Sequence, residues 1–188
     1  MNAIGAAIAT STRIGNCLGA NESRNARNAA FSAMCLALIL GGINCSLLMT
    51  VRNVWGYIFT SDVETVLIVS SVLPLVAAFQ FVDCLGAVSG GILRGCGRQK
   101  LGAVLNFSAY YILGLPLSVT FTFKFGMGLV GLWLGLIVGQ VIVATVALGI
   151  ITNTNWVEQA KNAKELMDSQ ADLFADTQSL VSECTSET

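Results

Sequence analysis

Long uncharged stretches alternate along this chain with short polar or basic breaks, and the spacing of those breaks predicts the architecture. About 20 mostly apolar residues are needed for a helix to cross a bilayer. Four stretches meet that length, at residues 28–51, 65–93, 101–123 and 129–151. The first is uncharged throughout and stops at Arg52. The second carries Asp83 in its interior and stops at Arg94. The third contains Pro116 and stops at Lys124, and the fourth, uncharged again, runs into Asn153, Thr154, Asn155 and Trp156. Residues 1–20 predict a fifth, partial span, interrupted by Arg13, which is expected to be buried among neighbours or to snorkel toward the interface. A secretory signal would place its positive charge first and a small-residue cleavage site after the apolar run, and neither is there. The pattern therefore predicts an all-α fold, a polytopic transmembrane helix bundle over residues 1–157 with about five helices. A polar, acidic tail follows over 158–188, whose first turns are expected to extend the last span and whose residues beyond Ser169 are expected to be disordered for want of apolar surface.

Orientation follows from the positions of the Lys and Arg residues. The breaks after the first, third and fifth segments carry Arg24, Arg27, Arg94, Arg98, Lys100, Lys161 and Lys164, whereas the alternate breaks carry only Arg52 and Lys124. That asymmetry predicts a cytoplasmic tail. In lipid, helices associate through close backbone contact, so small residues four apart mark the seams. Gly131, Gly135 and Gly139 form the strongest such series, and Gly86/Gly90, Gly91/Gly95 and Gly15/Gly19 repeat the spacing.

Composition narrows the chemistry. Of 188 residues, 54% are hydrophobic and 11% charged, and there is no histidine. Nucleic-acid binding by a basic surface is excluded, because the few cations do not cluster on a face. The six cysteines are scattered, mostly in apolar runs, with no CxxC pair, which excludes a disulfide-built domain. Without histidine there is no Ser-His-Asp triad and no ordinary zinc site, so no catalytic residue, no metal and no cofactor are predicted.

Asp83 is the only acid inside a span, and a charge at the bilayer centre costs about 2.5–3.5 kcal/mol on insertion scales. On a helix it shares its face with Phe79, Gly86, Ala87 and Gly90, a face that permits close approach or a lined cavity. Low-dielectric surroundings favour the neutral form of a carboxylic acid, so proton uptake and release by Asp83 are feasible; a plain interhelical hydrogen bond or a pairing with Arg13 is the alternative. Asn106, Tyr110 and Tyr111 put an amide and two phenols in one span and are candidates to line a polar pathway or to face the headgroups. Gln140, alone in an apolar helix, is a similar case, with interhelical glue as its other reading. Pro74 and Pro116 each remove a helical hydrogen bond and are candidate hinges. The glycine-rich run at 89–100 lacks the GK[ST] ending of a phosphate loop and reads as a tight turn with anchoring cations.

Three stretches resemble the C-terminal lobe of the multidrug and toxin extrusion (MATE) antiporters: STRIGNCLGANESRNAR at 11–27, DCLGAVSGGILRGCGRQKLGAVLNFSAYYILGLPL at 83–117 and GLVGLWLGLIVGQ at 128–140. The resemblance implies a carrier of two six-helix lobes that exports organic cations and xenobiotics in exchange for protons or sodium. The details of GGILRGCGRQK and LGLPL are most similar to the animal, proton-coupled branch, in which an acid stands a few positions before S-G-G; Asp83 matches that position, with Asp where Glu is expected. Asn21 stands where the family has glycine after L-G-A. The resemblance covers the last five helices of the pattern, so the N-terminal lobe is an expected partner along with the lipid bilayer, organic cations and protons, and Met1 is expected to fall within a longer pattern. A multi-pass location, in the plasma membrane by analogy with the branch, goes with this reading. The rival reading is a non-transporting membrane scaffold that modulates a full-length carrier.

Overall fold

The computed structural model describes residues 2–186, with side chains described for 2–170 and at Phe174 and Thr177; the last two positions of the expected tail, 187 and 188, lie outside the described residues. The described residues form six helices: α1 Asn2–Gly19, α2 Ser23–Val51, α3 Val63–Gly95, α4 Gln99–Lys124, α5 Gly128–Thr152 and α6 Trp156–Ser186. A 3₁₀ turn, Trp55–Ile58, joins α2 to α3, and the described residues contain no strand. Helices α2 to α5 are long and apolar enough to cross a membrane. Three of them run past the predicted stretches at both ends, and α2 at its start, because charge limits the depth a residue can occupy in lipid, not the length of the helix. Thus α2 begins at Ser23 and takes Arg24 and Arg27 into its first turns, and the 33 residues of α3 reach roughly 50 Å at 1.5 Å each.

Helix α3 is the hub, packing against α1, α2, α4 and α5. Its start is fixed by Asp62, whose carboxylate accepts from the Thr65 amide at 3.2 Å and from the Thr65 hydroxyl, satisfying amides that a helix start leaves open. The Thr65 hydroxyl, then its amide, hold the Asp62 carboxyl below its ordinary range. Where α3 ends, the Arg98 amide reaches the Leu93 carbonyl at 2.9 Å and the Gly97 amide reaches Arg94, with Gly97 at φ +72°. This is a Schellman ending, which needs a left-handed residue. Helix α1 closes in the same way: Glu22 bonds to Cys17, Asn21 bonds to Leu18, and Asn21 sits at φ +58°. Asn is the residue after glycine that best tolerates this conformation, so the departure from glycine at 21 keeps the turn.

Glycines set the distances between helices. A Cβ on Gly135 would strike the Ser118 backbone, one on Gly131 would lie 2.7 Å from the Phe121 carbonyl carbon, and one on Gly139 would lie 2.8 Å from the Ala109 oxygen. All three are buried. The series is therefore the α4–α5 seam, and Gly91 and Gly95 do the same for α1, against the Ala7 and Ser11 carbonyls. Across this seam Ser118 donates to the Leu132 carbonyl at 2.7 Å.

The kink expected at Pro116 takes the form of a change in register. Helix α4 is α-helical to Phe107, π-helical over Ser108–Gly114, α-helical over Leu115–Val119 and π-helical again over Thr120–Lys124. Proline supplies no amide to the carbonyl one turn back, and the wider i→i+5 register, seen in the Leu115 amide bonding to Tyr110, redistributes the bonds around it. Pro74, by contrast, leaves α3 continuous.

The tail departs from expectation twice. It does not extend the last span, because residues 153–155 break the helix and the Asn155 side chain accepts from the Glu158 amide to start α6. Nor does order end near Ser169, since α6 continues to Ser186. The stretch from Trp156 onward contains neither glycine nor proline and is rich in Ala, Gln, Leu and Glu, so nothing local stops a helix once begun. Ala160 is fully buried and Met167 meets Gly19, which places α6 against α1 and α2. Ile14, Leu18, Ala26, Leu93, Ile151 and Ala160 form one cluster there, so the breaks bearing Arg24, Arg27, Arg94, Arg98 and Lys100 gather at a single end of the bundle.

Two outcomes follow for stability. Gly135→Ala should cost about 2 kcal/mol or more in detergent unfolding, because its neighbour is backbone and cannot give way, while Gly149→Ala, which meets nothing within 4 Å, should be neutral or slightly stabilising. At the α1 turn, Asn21→Gly should hold or raise the unfolding midpoint, and Asn21→Val should lower it by the equivalent of about 1 kcal/mol or more.

Candidate functional site

Asp83 lies midway along α3, half-buried, and two other helices bring it hydrogen-bond donors. The Tyr110 hydroxyl, from the first π-helical segment of α4, donates to its Oδ1 at 3.0 Å. Gln140 Nε2, from the middle of α5, donates to the same oxygen at 3.3 Å. Gly86, one turn further along α3, makes this possible: a Cβ there would lie 2.7 Å from Gln140 Nε2, so any larger residue would push the amide away from Asp83. Gln140 is 3% exposed, and its Oε1 is buried without a partner.

The trio has different surroundings on its two sides. One turn before Asp83, on the side away from the basic breaks, Phe79 meets Trp133 of α5 edge to face at a centroid separation of 5.7 Å. On the other side a cavity of about 710 Å³ opens between α1, α3, α4 and α5. Gly86, Ala87 and Gly90 give it a floor without bulk, Asn106 and Gln140 give it amides, and Arg94 and Lys100 stand at its far end.

Of the sequence-derived candidates, then, Asp83, Tyr110 and Gln140 meet, and Asn106 lines the adjoining cavity. Tyr111 does not join them: it is 60% exposed and stacks on Phe107 at 4.8 Å, on the outer surface of α4. Adjacent residues on a helix point about 100° apart, so only one of the two phenols can face Asp83. Arg13 is exposed, and among the described residues Asp83 forms no ion pair. Pro116 follows the π segment that carries Tyr110, and Pro74 lies more than two turns from Asp83 along α3. Trp133 was not singled out from the sequence, although it stands seven residues before Gln140 and so on the same face.

Chemically the site is a carboxyl group held by two neutral donors beside a roomy, mostly apolar cavity. Among the described residues no cation pairs with it, so it can attract a positive charge when ionised and release one when protonated. Among the described residues no three His, Cys, Asp or Glu side chains lie together as a metal site would need.

The sequence profile of the family described as MatE matches residues 1–120. The chain is 36% identical over 161 residues to multidrug and toxin extrusion protein 1 of Oryctolagus cuniculus, covering 86% of this chain and 28% of that protein. It is 40% identical over 177 residues to protein DETOXIFICATION 16 of Arabidopsis thaliana, covering 92% of this chain and 36% of that protein. The structure superimposes with a TM-score of 0.80 and 37% identity on the crystal structure of the eukaryotic MATE transporter AtDTX14, covering 87% of this chain and 36% of that one. The chain thus spans about a third of the length of these relatives.

The shared acceptor makes the two donors interdependent. Tyr110→Phe should cost about 1 kcal/mol in unfolding experiments. Gln140→Leu should be nearly neutral, since it removes one bond to Asp83 but also an unpartnered buried oxygen. The double variant leaves Asp83 with neither donor and should lose more than the sum of the two; strict additivity would show that the donors act separately.

Proposed function

The chain belongs to the multidrug and toxin extrusion (MATE) family, and from that premise we propose that it forms part of a secondary active transporter exporting organic cations and xenobiotics in exchange for protons, with Asp83 as the coupling group. The observation that carries this reading is the convergence of Tyr110 and Gln140 on a half-buried carboxyl group that has no ion-pair partner among the described residues. Ionised, Asp83 accepts both donors and draws a cation toward the end of the cavity. Protonated, it no longer attracts a cation, and its new O–H needs an acceptor. The unpartnered Gln140 Oε1 supplies one after rotation of the amide, so the same side chain can serve both states without moving its backbone.

The cavity lies on the side of Asp83 that faces the basic breaks, and the Phe79–Trp133 contact lies on the other. With the basic end cytoplasmic, substrate and proton reach Asp83 from opposite sides in turn, as this bundle rocks against a second lobe. The plasma membrane as location and the cytoplasmic tail belong to this proposal, and the excess of Lys and Arg at one end supports the orientation. The relatives are transporters, in keeping with a carrier and not an enzyme.

The test is transport. This chain should replace the matching segment of the Oryctolagus cuniculus relative, with uptake of tetraethylammonium into proteoliposomes driven by a pH gradient. Asp83→Asn keeps volume and hydrogen bonding but removes the titration, so gradient-driven uptake should fall to background while membrane insertion is kept. Asp83→Glu restores the acid and should retain substantial exchange. Normal pH-driven uptake by Asp83→Asn at equal protein levels would make Asp83 a structural residue and refute the coupling role.

A further inference from the structure

Beyond Lys164, α6 repeats a pattern every seven residues: ELM at 165–167, DLF at 172–174 and SLV at 179–181. Seven residues fall roughly 20° short of two helical turns, so Leu166, Leu173 and Leu180 hold register positions on one stripe. The acids hold a second stripe: Glu165, Asp172, Asp176 and Glu183 fall about 60–100° to one side of Leu173. Ala160 and Met167, which seat α6 on the rest of the bundle, fall about 120–140° to the other side. The leucine stripe is therefore not the face that meets α1 and α2. Leu166 is 65% exposed and Phe174 72%. From Leu166 to Val181 the stripe runs roughly 24 Å at 1.5 Å per residue, enough to seat about four turns of another helix. Charge selects the occupant, because the sequence past Lys164 has acids but neither Lys nor Arg. An anionic lipid surface would be repelled, and a second copy of α6 would bring the same acids to the same seam. A helix that presents apolar residues flanked by Lys and Arg complements both stripes at once.

We propose that α6 beyond Lys164 is a docking site for a basic amphipathic helix of another protein, whose apolar residues pack on the leucine stripe and whose cations face the acids. The site is separate from Asp83 and its donors, so it stands or falls independently of the coupling role. Its near end is anchored to the bundle through Ala160 and Met167, so a docked helix is held at the end where the basic breaks gather.

The full chain in phosphatidylcholine nanodiscs tests this by fluorescence anisotropy, with a labelled synthetic peptide of three Leu/Lys heptads as the probe and empty discs as the baseline. The peptide should bind the chain above that baseline, and the same peptide with Glu for Lys should not. Leu166→Gln/Leu173→Gln, which keeps good helix formers in place, should weaken binding roughly tenfold. Glu165→Gln/Asp172→Asn/Asp176→Asn should weaken it by a similar factor, because it removes the charge and keeps the shape. Equal binding by either variant and the unaltered chain, or equal binding of the two peptides, would overturn the proposal. The chain alone should sediment as a monomer in detergent; a dimer that Leu166→Gln/Leu173→Gln dissolves would give the stripe to a second copy and overturn it. Brominated lipid should quench Phe174→Trp no more than the unaltered chain; added quenching would give the stripe to the bilayer surface, with the same result.

Discussion

An acid placed in the middle of an apolar bundle must find hydrogen-bond donors, and much of this molecule can be read as the means of bringing two donors to Asp83. Tyr110 and Gln140 come from different helices, so their meeting requires α3, α4 and α5 to approach closely at one depth. Water cannot do this work in a bilayer core, and an isolated carboxylate there is costly. The position of the acid thus constrains three helices at once.

Glycine makes that approach possible. Gly86 leaves room for the Gln140 amide, and Gly131, Gly135 and Gly139 let α5 settle against the backbone of α4. In lipid no hydrophobic gain drives helices together, so the contact depends on how near the backbones come. Gly90, which also lines the cavity, has a different role. Gly90 has nothing within 4 Å of its absent Cβ, so it keeps space open where Gly135 closes it. Equal spacing in the sequence therefore serves opposite ends, and only the neighbouring helix decides which.

How much of this was legible in the sequence depends on what each residue needed. Asp83, Tyr110 and Gln140 were visible because polar groups in apolar helices must be satisfied, and the four long apolar helices were visible because charge cannot enter lipid cheaply, although α2, α3 and α4 extend past the charges that bound their apolar stretches at one end or both. Their mutual contact was not, since it depends on the packing of helices far apart in sequence. Tyr111 was grouped with Tyr110 by adjacency, which on a helix means different faces. The tail was misjudged because little apolar surface argues against burial, whereas the helix itself requires only the absence of breakers.

The two π-helical segments of α4 have a consequence for comparing relatives. Each wider turn holds about one residue more than an α turn, so α4 carries a surplus, placed before and after Pro116. A relative that loses one residue at Ser108–Gly114 can keep its helix by reverting to α geometry. Because the lost residue is the one the wider turn absorbed, the helix on either side of the loss keeps nearly the same facing. In this helix, an alignment gap of a single residue at a wide turn is therefore compatible with unchanged facing beyond it, and residues should be matched by the direction they point before they are matched by number.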